Sequence, residues 1–307
     1  MRKVAFLYPG QGSQKVGMGK SFLENYSLAR NIFQEANEIL GFNLEKICLE
    51  GPEEELVKTS NLQPALLTVS WIATCFLKEK GVFPQAVAGH SLGEYSAILA
   101  AGVVDFKTAL RIVKERARVM HEETRKNEGG MAAVIGFDKE NIVKMCKEIG
   151  EVEAVNFNCP GQIVISGKKQ KISILAEELK KRGAKKVIVL PVSGAFHSYL
   201  MRSAARKFAN FLDQFNFYNP TCKVVANVSG EYALSGEEIK KNLKLQMDHP
   251  VLWEKGMKLL IKDGFDTFIE VGPGKVLQGL IKRIDKKVKT MGVEDIRSAN
   301  LVVQSVS

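Results

Sequence analysis

The chain has 307 residues and a mass of 34.0 kDa, 45% of them hydrophobic and 25% charged, a globular composition with enough length to bury a large core without disulfides or metals. Lys and Arg number 44 against 34 Asp and Glu, and the resulting +10 admits nucleic acid, an anionic membrane surface, or an acidic protein or cofactor as partner. No apolar run reaches transmembrane length. Five cysteines, an odd number with no C-x-x-C pair, argue against a disulfide framework or a zinc site and for free thiols in a reducing cytosol.

Residues 3–8 (KVAFLY) form a β-prone run that is too short for a signal-peptide core and stops at Pro9. A Gly-rich loop, PGQGSQKVGMGKS, follows. Lys15 stands where G-x-G-x-x-G needs its third glycine, and Gln14 where a P-loop needs its first, so a nucleotide site there is a weak reading. Spacing predicts a buried helix over 64–77 with Pro64 in its first turn, a short strand over 86–89 and a helix over 94–101. In 105–124, Phe106, Leu110, Val113, Ala117 and Met120 recur at helical intervals on one stripe.

The rhythm then changes. Strand 131–136, helix 138–149, strands 153–157 and 162–166 about the turn Asn158-Cys159-Pro160-Gly161, basic helix 168–182 and strand 186–191 follow in order. This βαββαβ order is the ferredoxin-like unit, and Gly129-Gly130 and Ser193-Gly194 bracket it as hinges. The expected organisation is α/β, with a large domain from 1–124 and 195–307 and an inserted small domain, 125–194. Beyond it, helix 198–214, strand 223–226, helices 236–246 and 252–263, strand 266–271 and helix 275–284 are expected. The last dozen residues lack periodicity and are expected to be loosely held.

Gly89-His90-Ser91-Leu92-Gly93 matches G-x-S-x-G between a strand and a helix. A nucleophilic serine must stand on a sharp strand-to-helix turn, and glycines two residues to either side let neighbouring segments pass. The helix N-terminus then aims N–H groups where an oxyanion would form. The competing reading is a serine that merely caps a helix. Of the four histidines, His90 adjoins Ser91 and points elsewhere, His121 lies in a polar helix end, and His249 precedes Pro250 in a loop. His197 follows a strand and the turn Ser193–Phe196, at the edge where open α/β sheets build sites, and is the preferred base. Arg116 flanks the apolar stripe of its helix. An internal salt bridge is the favoured reading, a fork for a substrate carboxylate the alternative.

Further strings accompany these: Pro9-Gly-Gln-Gly-Ser13, Gln63-Pro-Ala-Leu66, Gly89-His-Ser-Leu-Gly-Glu-Tyr95, Arg116, Asn156-Phe-Asn158 with Pro160-Gly-Gln162, and Phe196-His197-Ser198. Gln246, Pro250-Val251, Trp253 and Glu270-Val-Gly-Pro-Gly-Lys-Val276 complete an ordered set over nearly the whole chain. The set resembles the malonyl-CoA:acyl carrier protein transacylases, the acyltransferase family of fatty acid and polyketide synthesis. The resemblance implies an α/β-hydrolase-like large domain with a ferredoxin-like insert. It implies that Ser91 is the acyl-accepting nucleophile, His197 the general base, and Gln11 and the Leu92 N–H the oxyanion donors. Gln246 would orient His197 through its main-chain carbonyl. Arg116 would pair with the malonyl carboxylate, displacing the salt-bridge reading, and Phe196 would favour malonyl over methylmalonyl groups. Ala117 departs from the glycine that many relatives carry after the arginine.

The resemblance further implies no bound cofactor or metal, malonyl-CoA as substrate, and phosphopantetheine carried by an acidic acyl carrier protein as acceptor. It implies a cytoplasmic monomer that binds neither nucleic acid nor membrane. Lys180-Lys181-Arg182 with Lys185-Lys186, and Lys282-Arg283 with Lys286-Lys287, are the candidate docking clusters for the carrier protein, a solvated surface being the alternative. The rival function is a serine thioesterase or hydrolase with the same Ser-His pair. Such enzymes usually carry an acid between serine and histidine, and Asp105 and Asp138 are weak candidates for it. A nucleic-acid binder rests on charge alone.

Overall fold

The computed structural model describes residues 3–306. Among them ten strands form: β1 Val4–Tyr8, β2 Ala86–Gly89, β3 Gly129–Ile135, β4 Val152–Cys159, β5 Gln162–Lys168, β6 Lys186–Val189, β7 Lys223–Val225, β8 Tyr232–Ala233, β9 Thr267–Val271 and β10 Lys289–Val293. The larger sheet has the order β10-β9-β1-β2-β7-β8, parallel except for β8. Helices cover its faces, so VAFLY, AVAG and TFIEV are buried throughout; the first two read as continuous apolar runs, and TFIEV carries the buried Glu270. Pairing of Tyr8 with Gly89 and of Leu7 with Glu270 sets the carboxyl ends of β1, β2 and β9 side by side. The chain leaves β1 for β2 on one side and returns as β9 on the other. That reversal opens a crevice above β1, where open α/β sheets bind ligands.

The second sheet has the antiparallel order β4-β5-β3-β6, and helices Lys139–Ile149 and Lys169–Lys181 pack on it. Alternation along β3 and β5 sends Ala132, Val134, Ile163 and Ile165 to a separate core with Ile142, Leu175 and Leu179. The two sheets meet where β4 joins the larger body. Val251 donates to Val155 O at 2.7 Å and accepts from Phe157 N at 3.0 Å.

Several expectations need correction. The helix expected from Pro64 runs Thr59–Glu79, so the proline is interior. The polar start TSN hid a turn that Thr59 and Leu62 bury. Gly129 and Gly130, expected as a hinge, open strand β3. Gly129 permits close approach, because a Cβ there would lie 2.6 Å from Ala195 Cβ. The expected helix 198–214 is a 3₁₀ turn, Tyr199–Met201, followed by Arg202–Leu212. Residues 296–306 are not loose: β10 edges the large sheet, and helix Ile296–Val306 buries Ala299 and Val302 against it and the helix Thr59–Glu79, while residue 307 lies outside the described residues. Four helices between residues 20 and 56 carry no sequence-based assignment; the longest, Ser27–Leu40, buries Ala29, Ile32, Phe33, Ala36 and Leu40 on one face. Among the described residues no helix is long and apolar enough to cross a membrane, no cluster of His, Cys, Asp and Glu could hold a metal, and all five cysteines are free.

Candidate active site

β2 ends at Gly89, and the chain turns sharply through Ser91 (φ 52°) into helix Gly93–Ala100. A non-glycine residue in that region carries strain of about 1–2 kcal/mol, which its surroundings must hold in place. Crowding explains the flanking glycines. A Cβ on Gly89 would lie 1.9 Å from the Gly93 carbonyl carbon, and one on Gly93 would lie 2.0 Å from Tyr8 O. Leu92, buried, takes the N-cap position. The turn after β1 lies against the elbow, since a Cβ on Gly10 would meet His90 O at 2.4 Å, and it carries Gln11 exposed at its tip. His90 turns away from Ser91, its Nε2 2.8 Å from Asn158 Oδ1 and its ring 5.5 Å from Trp253.

His197 also has a left-handed backbone (φ 61°) and is 3% exposed. Its Nε2 lies 2.7 Å from Ser91 Oγ, and its Nδ1 lies 2.8 Å from Gln246 O. A carbonyl only accepts, so Nδ1 carries the proton and Nε2 is free to accept one from the serine. Burial, then the nearby Arg116 charge, pulls the His197 pKa down to about 3, opposed by the Gln246 carbonyl. The ring is therefore neutral across the physiological range. Phe196, 5% exposed, precedes it in the core.

Arg116 is 1% exposed, and among the described residues no carboxylate pairs with it directly. Its Nη1 donates to Gln63 Oε1 at 2.8 Å, and its Nη2 donates to Gln246 Oε1 at 3.0 Å and to Ser91 Oγ at 3.1 Å. Its guanidinium lies 5.2 Å from the Tyr95 ring centroid, and its Nε has no hydrogen-bond partner. Desolvation lowers its pKa. A buried guanidinium held by neutral acceptors, one of them the serine hydroxyl, retains capacity for an anion. This departs from the internal salt bridge that spacing alone favoured.

Ser91, His197, Arg116 and Gln246 thus converge, with Leu92 and Phe196 adjacent in sequence. Asp105 and Asp138 lie elsewhere, capping helices Phe106–Thr124 and Lys139–Ile149 through Thr108 N (2.7 Å) and Asn141 N (3.0 Å). His121 and His249 are exposed. Gly19-Lys20-Ser21 only opens a six-residue helix. Three participants were not assigned a role from sequence: Gln63, Glu94 and Asn227. Gln63 and Glu94 sit inside the strings quoted above, and Asn227, just after β7, had only its position at a strand's carboxyl end to mark it.

A sharp strand-to-helix turn at the crevice, with an imidazole and a guanidinium both touching its serine, is an arrangement suited to acyl transfer. The chain belongs to the acyl transferase domain family, whose sequence model matches residues 5–304. It is similar to the malonyl CoA-acyl carrier protein transacylase of Bacillus subtilis, 44% identical over 310 residues that cover 100% of this chain and 98% of that relative. The Escherichia coli K12 transacylase of the same name is 43% identical over 92% of this chain and 93% of its own. Among solved structures, a malonyl-transacylase in complex with its type II PKS acyl-carrier protein superposes with a TM-score of 0.96, 39% identity and 99% of each chain covered. An acyl carrier protein S-malonyltransferase from Vibrio cholerae gives 0.95 at 39% identity, over 98% of this chain and 99% of that one.

Proposed function

We propose that this chain transfers the malonyl group from malonyl-CoA to the phosphopantetheine thiol of an acyl carrier protein through a malonyl ester on Ser91. One observation carries the reading: Ser91 Oγ lies 2.7 Å from His197 Nε2 and 3.1 Å from Arg116 Nη2. A nucleophile, its base and a cation for the far end of the acyl group therefore meet at one atom. The names and full-length identities of the relatives support the same substrate pair.

Ser91 Oγ attacks the thioester carbonyl while His197 Nε2 accepts its proton, and the Gln246 carbonyl steadies the imidazolium through Nδ1–H. Gln11 and the Leu92 N–H donate to the oxyanion. CoA leaves with the proton from His197. Arg116 exchanges its neutral acceptors for the malonyl carboxylate, and Phe196 bounds the acyl pocket. The carrier protein's thiol then attacks the ester by the reverse sequence. No resident cofactor is required. Exposed Lys180-Lys181-Arg182 with Lys185-Lys186, and Lys282-Arg283 with Lys286-Lys287, offer docking charge to an acidic carrier protein. The setting of the reading is a monomer in the cytoplasm.

We read residues 125–194 as a ferredoxin-like domain, supported by the strand order β4-β5-β3-β6, inserted into an α/β-hydrolase-like domain of residues 1–124 and 195–307, supported by the elbow after β2. The test is incubation with malonyl-CoA, with and without holo carrier protein. Malonylated carrier protein is expected; CoA release that yields only free malonate would make the enzyme a hydrolase.

A further inference from the structure

Ser91 sits in a strained turn, and both of its main-chain polar groups are held by side chains from far along the chain. Its N–H donates to Asn227 Oδ1 at 2.8 Å, and its carbonyl accepts from Gln246 Nε2 at 2.8 Å. Asn227 also clamps the preceding strand end, donating from Nδ2 to Gly89 O at 2.7 Å. Both holders lead back to one carboxylate. Glu94 accepts from Asn227 N through Oε1 at 3.0 Å and from Gln246 Nε2 through Oε2 at 2.5 Å. Glu94 is 2% exposed, and among the described residues no Lys, Arg or His forms an ion pair with it.

An acidic residue in a helix's first turn is ordinarily explained by the helix dipole. Such a residue stays at the surface, where solvation is cheap. Glu94 instead is desolvated and gives both oxygens to residues 133 and 152 positions away. Its contacts also fix the Gln246 amide. With Nε2 facing the carboxylate, Oε1 must face Arg116 Nη2, which it meets at 3.0 Å. The negative charge of Glu94 and the positive charge of Arg116 are thus joined through one oriented amide. The guanidinium is balanced without a carboxylate bound to it directly.

We propose that Glu94 is a positioning residue for acyl transfer: through Asn227 and Gln246 it holds the Ser91 main chain in its nucleophilic turn and orients the Arg116 fork while leaving it without a direct carboxylate partner. This rests on the reading of Ser91 as acyl acceptor. Protonation of Glu94 would turn one of its two acceptor oxygens into a donor facing the N–H of Asn227 or of Gln246. Burial raises its pKa to about 7, opposed by the Gln246 and Asn227 hydrogen bonds and by Arg116. Arg116, from helix Phe106–Thr124, is the charged group facing it; Tyr95 is the titratable neighbour on its own helix, and Asn227 and Gln246 are neutral.

The test compares wild type, Glu94→Gln and Glu94→Asp by two readouts of Ser91. These are single-turnover acylation by malonyl-CoA across pH, and sulfonylation by phenylmethanesulfonyl fluoride, which needs the nucleophile but not malonyl recognition. Glu94→Gln keeps the shape but must offer a donor to Asn227 N or to Gln246 Nε2. The single-turnover acylation rate is expected to fall about 100-fold, the scale of a small misplacement of reacting groups, with sulfonylation also slowed. The wild-type loss of rate below neutral pH should vanish in Glu94→Gln and persist in Glu94→Asp, which recovers part of the rate. A folded Glu94→Gln enzyme with unchanged rates, or one that keeps the acid limb, overturns the proposal. A wild type that is sulfonylated but never malonylated overturns the transacylase reading instead, and slower sulfonylation of Glu94→Gln would still support the positioning role.

Discussion

Arg116→Ala is the perturbation whose outcome the geometry bounds most tightly. The guanidinium is buried and meets only neutral acceptors, so under the proposed function a malonyl carboxylate entering the site would gain a charge-assisted, forked contact already stripped of water. Removing one member of a buried ion pair costs about 3–5 kcal/mol. That converts to roughly a 10²- to 10⁴-fold loss of acylation by malonyl-CoA. Acetyl-CoA offers a methyl group instead of an anion, and the alanine relieves it of facing a desolvated charge. Its rate should therefore stay within about tenfold of wild type, and the malonyl-to-acetyl ratio should fall by at least about tenfold. Arg116→Lys keeps the charge but loses the fork, and should lie between. The assay is single-turnover acylation of Ser91 by each acyl-CoA, followed by intact mass, with a melting curve to verify folding. An Arg116→Ala enzyme that keeps the wild-type preference for malonyl-CoA would refute the fork, and with it the route by which the site selects its acyl group.

Three other outcomes follow from separate parts of the structure. Gly93→Ala forces a Cβ to within 2.0 Å of Tyr8 O, so the elbow and β1 must separate; a cost of about 3 kcal/mol, the upper end of overpacking, should lower Tm by roughly 6–12 °C, and an unchanged calorimetric Tm would contradict the crowding. His197 should remain neutral with its proton on Nδ1 down to at least about pH 5 in an NMR titration, and Arg116→Gln should raise its pKa by removing a neighbouring positive charge; a wild-type midpoint near the ordinary histidine value would contradict the burial and charge argument. Raising salt from about 0.05 to 0.5 M should depress kcat/KM for holo carrier protein, and charge reversal at Lys286 and Lys287 should depress it at low salt; a salt-independent rate would remove both basic clusters as docking charge.

The parts legible from sequence were those where local chemistry has few solutions. The buried parallel strands β1, β2 and β9 are mostly apolar and end at Pro or Gly, and the elbow announces itself by the two glycines its crowding demands. The four-stranded sheet follows from an order of elements with one familiar closure. The chain end was misread because helix Ile296–Val306 is short and mixes small polar residues with its apolar stripe; docking on β10 supplies the order that periodicity did not reveal. Spacing also favoured an ion pair for Arg116, since burial of a charge usually implies one. Its partners are instead the neutral side chains of Gln63 and Gln246, which lie 53 and 130 positions away. The roles of Asn227 and Glu94 went unassigned for the same reason: their significance is a contact across 133 residues, which no local pattern encodes.

The most direct test of the account is the intact mass of the enzyme after brief exposure to malonyl-CoA without carrier protein. The account predicts a gain of one malonyl group, located on Ser91 by peptide mapping, absent in Ser91→Ala, and discharged when holo carrier protein is added. No adduct at any time after mixing, or an adduct that survives in Ser91→Ala, would contradict it.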